Sequence, residues 1–171
     1  MIFKSLHESL VKKKINKSLE LLNDQTRIKP NPIKTIGCII DPMFPVEVNN
    51  FIKLVYKIGL KEKDLKLITF QESENAFNIF SNMNITPKSI SYTGNLTGKD
   101  SLEFISYDYD LLINFFKFND VLTLLSSKVN AKFRVGFSSV DSRLNDLIFS
   151  EKIKKFKEFD SELIKYLRII K

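Results

Sequence analysis

Histidine and cysteine each occur once in this chain, and glycine occurs five times in 171 residues, never twice in a row. Each scarcity removes a class of chemistry. His7 is the sole imidazole and sits at the lysine-rich start of the chain, so a Ser-His-Asp triad, a histidine general base and a His-Cys zinc set are excluded. Cys38 has no partner for an internal disulfide, and within Ile36-Gly37-Cys38-Ile39-Ile40 it reads as a small packed hydrophobe. Isolated glycines supply neither G-x-G-x-x-G nor G-x-x-x-x-G-K-[ST], the backbone cradles that hold nucleotide phosphates. Asp141, Asp146 and Glu151 are spaced by five and five, which is no known cation-ligand pattern. No catalytic residue, metal or cofactor is assigned. No apolar run approaches the ~18 to 20 residues that span a bilayer, and the N-terminus lacks the apolar stretch and small-residue cleavage site of a secretion signal. The expectation is a cytoplasmic protein with no transmembrane segment.

What is present is an ordinary globular composition, 43% hydrophobic and 27% charged, in a chain of a length suited to one core. The net charge of +7 is unevenly placed. Residues 1–36 carry 8 basic and 3 acidic groups, residues 37–150 carry 12 and 13, and residues 151–171 carry 7 and 4. A near-neutral body with two basic ends suits an anionic partner, either nucleic acid or phospholipid headgroups.

Apolar residues Phe3, Leu6, Leu10, Ile15, Leu19 and Leu22 recur at three- and four-residue steps, the helical period. Lys4, Lys12, Lys13, Lys14 and Lys17 lie between them. Residues 1–24 therefore read as a basic amphipathic helix. Ile28-Lys29-Pro30-Asn31-Pro32 cannot continue it, because proline lacks the amide donor and biases its predecessor toward extended backbone. Residues 25–33 are read as a linker and 34–171 as the α/β domain.

Within that domain the residues 34–40, 65–70, 109–116 and 131–137 are apolar and β-branched enough for strands buried on both faces of a parallel sheet. Helices are expected after the first, over 48–58 with Gly59 ending it in left-handed geometry, after the third through Val121 to Val129, and from Phe156 to Ile170. Glu72 to Met83 reads as a helix and Ser89 to Leu96 as a short strand, with Ala131 to Phe137 the last strand of the sheet. The spacing predicts an α/β fold of the doubly wound type, Rossmann-like or flavodoxin-like, on a mostly parallel sheet of about five strands.

Open sheets of this type bind ligands beyond the carboxyl ends of their strands. The residues there are Asp41, Gln71, Asn114, Lys117, Ser138, Asp141 and Arg143. Asp41, Asn114, Lys117, Ser138, Asp141 and Arg143 form a candidate pocket for a small phosphorylated ligand. In the alternative structural role, Asp141 starts and caps a helix along which Arg143 pairs with Asp146.

The phrase Ala131-Lys132-Phe133-Arg134-Val135-Gly136-Phe137, the Ser138 to Leu147 stretch after it, Tyr109 to Asn114 before it and the closing Glu162 to Leu167 together carry a resemblance. The chain resembles, over nearly its whole length, a family of uncharacterised Bacteroidota proteins grouped as a domain of unknown function. That resemblance implies a cytoplasmic α/β protein and assigns no activity.

Three functions follow from the residues. The first is a non-enzymatic binding protein whose basic terminal helices dock on RNA or a ribonucleoprotein, with Lys4, Lys12, Lys13, Lys14 and Lys17 as the contacts. A second is a peripheral adaptor in which the first helix meets an anionic membrane surface or a protein partner. The third is an enzyme or sensor that holds a phosphorylated molecule at the strand ends.

Overall fold

The computed structural model describes residues 2–44, 46–72, 83–153 and 155–169, without the side chains of residues 2 and 3. Six strands form one sheet: β1 (Ile36–Ile40), β2 (Leu65–Phe70), β3 (Met83–Ile85), β4 (Asp108–Phe115), β5 (Asn130–Phe137) and β6 (Leu147–Phe149). All five pairings are parallel, in the order β3-β2-β1-β4-β5-β6. This is the order of the doubly wound dinucleotide-binding sheet rather than the flavodoxin order. Five helices flank it: α1 (Ile2–Asn23), α2 (Val48–Ile58), α3 (Lys99–Ile105), α4 (Asp120–Lys128) and α5 (Phe156–Ile169).

Central strands β1 and β4 are continuously apolar because a parallel sheet covered on both faces leaves them no wet side. Ile39 and Ile113 are wholly buried. One face packs Cys38, Ile40, Leu111, Ile113 and Phe137 against α2 and α5. The other packs Ile39, Ile68, Leu112 and Phe116 against α1, α3 and α4. Strand β4 bulges at Asp110, where the Asp110 and Leu111 amides both donate to the Thr35 carbonyl at 3.1 Å. The extra residue sends Tyr109 and Leu111 into opposite cores. The Asp110 carboxylate accepts from the Lys34 amide at 2.7 Å and from Lys132 Nζ at 2.8 Å.

Several expectations are revised. The sheet has six strands, because Leu147–Phe149 adds a three-residue edge strand beyond β5. Met83 begins β3 rather than ending a helix, and the rest of the helix expected from Glu72 falls on 73–82, outside the described residues. Ser89 to Leu96 is not a strand. A 3-10 turn covers Pro87–Ser89, and a single antiparallel bridge joins Ile90 to Leu96 across a turn. Gly94 makes that turn with φ of 76° while its Cα sits against the α1 backbone, where a Cβ would lie 3.3 Å from Val11 N. Gly59 ends α2 at φ 92° as expected. Asp141 caps only a 3-10 turn, Ser142–Leu144, and Arg143 pairs back with Asp141 instead of forward with Asp146.

Helix α1 does not stand apart from the body, as a division at residues 25–33 expects. Val11, Ile15, Leu19 and Leu22 are buried in the same core as β1 and α4. The linker then turns back under the sheet's far end, and Arg27 holds it there, with Nε 3.1 Å from Asp146 Oδ1 and Nη2 donating to the Arg143 carbonyl at 3.0 Å. Asp146 also accepts from the Arg134 amide at 2.8 Å.

Arg134 itself is fully buried. Its Nη1 donates to the Ser126 carbonyl at 2.9 Å and its Nη2 to the Val129 carbonyl, so the guanidinium sits at the negative, C-terminal end of α4. Burial, and then the charge of Arg27, push its pKa down to about 10 against the opposing pull of Asp146. It still carries its proton at neutral pH.

Because α1 closes one face of the sheet, Leu19→Ala should cost about 2 to 5 kcal/mol through lost burial and a residual cavity. Removal of residues 1–30 should abolish the cooperative transition. Thermal unfolding followed by circular dichroism checks both, and a truncated chain that melts as cooperatively as the whole one contradicts this packing.

Candidate functional site

The crevice where a doubly wound sheet binds its ligand lies between the carboxyl ends of β1 and β4, the strands at which the order reverses. Here an aromatic side chain fills it. The loop after β1 has proline at 42 and 45 in place of glycine, and it lays Phe44 over Phe115 and Phe137, with ring centroids 5.0 and 5.6 Å away. Lys117 Nζ covers the Phe44 ring at 5.2 Å and donates to the Glu151 carbonyl at 3.3 Å. Asp41 is buried and turned inward, its Oδ1 accepting from the Met43 amide at 3.0 Å.

The other strand-end residues go elsewhere. Asn114 is wholly buried, donating to Asn145 Oδ1 at 2.7 Å and accepting from Ser126 Oγ at 2.8 Å. Its polar groups are used in tying β4 to α4 and to the loop before β6. Ser138 is exposed and its hydroxyl accepts from the Glu151 amide at 3.3 Å. Asp141 and Arg143 neutralise each other through two bonds, Nε to Oδ1 at 2.9 Å and Nη2 to Oδ2 at 2.7 Å. The six residues thus divide among the plug, the interior and the loop after β5, and do not converge on one pocket.

A different cavity forms on the α1 side of the strand ends, with a volume of about 660 Å³. Lys12 and Asn16 reach it from α1, Phe118, Asn119, Asp120 and Thr123 from the β4–α4 junction, and Ser139 and Asp141 from the loop after β5. Asn119 caps α4, its side-chain oxygen accepting from the Leu122 amide at 3.1 Å, while Thr123 Oγ donates back to the Asn119 carbonyl at 2.9 Å. Ser139 is 7% exposed and its hydroxyl is buried without a hydrogen-bond partner. Phe118 is 84% exposed. The cavity brings together Lys12 and Asp141, which the sequence places in separate groups, and adds Phe118, which no sequence signal distinguishes from the chain's core phenylalanines.

The remaining lysines define a surface next to this cavity. Lys4, Lys12, Lys13 and Lys17 are exposed. Lys14 donates to Asn95 Oδ1, and among the described residues none of the five is in an ion pair. Lys128, at the end of α4, has its pKa held below the ordinary lysine value by partial burial first and then by the charges of Lys14 and Lys17.

Burial raises the Cys38 thiol well above its ordinary range, which leaves it unreactive. Among the described residues no three His, Cys, Asp or Glu side chains gather as ligands for a metal ion, and no helix is long and apolar enough to cross a membrane.

A family model described as a family of unknown function matches residues 7–170. The chain belongs to that family, DUF6913. The DUF6913 match takes in nearly all of α1 together with the sheet, in keeping with the helix's place in the core. No curated protein and no solved structure matches the chain.

The two carboxylates with lowered pKa set a pH dependence. The Arg143 hydrogen bond holds Asp141 below the ordinary value. At Asp110 burial pulls upward, but Lys132 and the Lys34 amide outweigh it and the net shift is downward. A folded-state pKa below the unfolded one gives stability that is complete above pH ~4 and is lost as the pH falls through the lowered value. Asp146, raised by burial, acts with the opposite sign. Urea midpoints at neutral and strongly acid pH should show a smaller acid loss in Asp110→Asn and Asp141→Asn than in the unmodified chain. Equal acid losses in all three proteins would refute the assignment.

Proposed function

We propose that this DUF6913 protein is a non-enzymatic RNA-binding protein that holds a phosphate backbone on the lysine surface of α1 and the end of α4. The observation that carries the reading is the run of exposed lysines Lys4, Lys12, Lys13 and Lys17 along α1, with Lys128 exposed at the end of α4 near Lys14 and Lys17, none of them in an ion pair among the described residues. Close like charges are costly in proportion to their proximity, and a polyanion turns that cost into attraction by releasing its condensed counterions. The basic C-terminal helix is a weaker candidate, since Lys165 already faces Glu162 at 3.7 Å and Lys57 of α2 pairs with Asp160 of α5.

A membrane-surface role for α1 has less apolar area to work with. Val11, Ile15, Leu19 and Leu22 are buried in the body, which among the described residues leaves Leu6 and Leu21, 57% and 59% exposed, and part of Leu10. The phosphorylated-ligand reading meets the Phe44 plug and the internal Asp141–Arg143 pair.

The quadruple variant Lys12→Gln, Lys13→Gln, Lys17→Gln, Lys128→Gln should fold as the parent does, because exposed substitutions change stability by about half a kcal/mol or less each. It should bind a labelled single-stranded RNA more weakly and with a salt slope shallower by up to roughly 0.7 per lost contact. Fluorescence anisotropy over a range of salt measures both. An unmodified protein that binds anionic vesicles but no RNA at physiological salt would overturn the reading in favour of the membrane surface.

A further inference from the structure

We propose that the cavity between α1, the start of α4 and the loop after β5 receives an unpaired nucleobase stacked on Phe118, so that the protein selects single strands over duplex. The inference rests on the RNA-binding reading and adds the part of the nucleic acid that is read. Its first observation is Phe118. Phe115 and Phe116, just before it, are buried, whereas Phe118 is 84% exposed and takes part in no ring contact. A free aromatic face beside a cationic surface is what single-strand binders offer a splayed base, because every base has a π face and each stacking contact is substantial.

The second observation is what lies behind that ring. The cavity of about 660 Å³ is of a size with small-ligand sites and admits a nucleoside. It is walled by groups able to address the edge of a base, Asn16 and the carboxamide of Asn119, with Ser139 beside them, whose hydroxyl is buried without a partner among the described residues. Lys12 stands at the same cavity, continuous along α1 with Lys13 and Lys17, so a phosphate held there places the adjoining base within reach of Phe118.

The acidic groups sharpen the ligand class. Asp141 is occupied by Arg143, but Asp120 has no ion-pair or side-chain hydrogen-bond partner among the described residues and lines the cavity. An ionised carboxylate only accepts hydrogen bonds, so it favours the bases that present an amino group, adenine, cytosine and guanine, over uracil, whose edge offers carbonyls beside a single N–H.

Anisotropy with oligo(A), oligo(C) and oligo(U) of one length, and with a duplex of equal charge, tests this on the full chain. Phe118→Ala should lower single-strand affinity about tenfold, leave duplex binding and the salt slope unchanged, and be rescued by Phe118→Tyr. Asp120→Asn should remove the preference for oligo(A) and oligo(C) over oligo(U). Phe118→Ala binding single strands as tightly as the parent, or losing duplex affinity equally, overturns the base site while the lysine surface stands. No RNA binding by the parent chain at physiological salt overturns both, and the quadruple lysine variant separates the two failures because it weakens single strand and duplex alike only if the backbone reading holds.

Discussion

Every feature of this molecule answers to one constraint: a wholly parallel sheet has no face that can be left wet. Crossover helices normally meet that demand, each return between parallel strands laying a helix on the sheet. Here the return from β5 to β6 is only residues 138–146 and contains a single 3-10 turn, too little to cover the apolar surface beneath it. Helix α1 takes the place of the missing crossover helix, burying Val11, Ile15, Leu19 and Leu22 beside α4. Its position in turn walls one side of the cavity at the strand ends and brings Lys14 and Lys17 near Lys128. The candidate interface is a by-product of how the core was completed.

The buried Arg134 network belongs to the same solution. A guanidinium from β5 reaches the Ser126 and Val129 carbonyls at the end of α4. Asp146 and Arg27 then bind the loop before β6 to the linker after α1. Removing one charge from such a set leaves others buried and unmatched, so these residues matter to the fold in the way that an apolar contact does not.

What the sequence made legible follows the strength of local pattern. Strands β1, β4 and β5 and helices α2, α4 and α5 declare themselves because long apolar runs and clean helical periods have few other interpretations. Strands β3 and β6 do not, since three residues carry no period, and α3 is a seven-residue helix of mixed character. α1 ends at Asn23, well before the prolines at 30 and 32, but a break in helicity says nothing of where the helix lies, and so its role in the core was hidden. The site was less legible still. Asn114 and Asp141 are at strand ends as expected, yet their polar groups are satisfied by Ser126, Asn145 and Arg143, partners whose proximity only the tertiary fold decides. Phe118 is one of fifteen phenylalanines, and only its exposure separates it from the other described ones.

The sheet's two outermost strands, β3 and β6, are three residues long. An unpaired strand edge is a template on which another chain can add itself, and the hazard grows with the length of the exposed ladder. Three residues offer an incoming strand one or two hydrogen bonds, too few to repay the ordering of its backbone. Edges this short let copies of the protein crowd together without their sheets fusing.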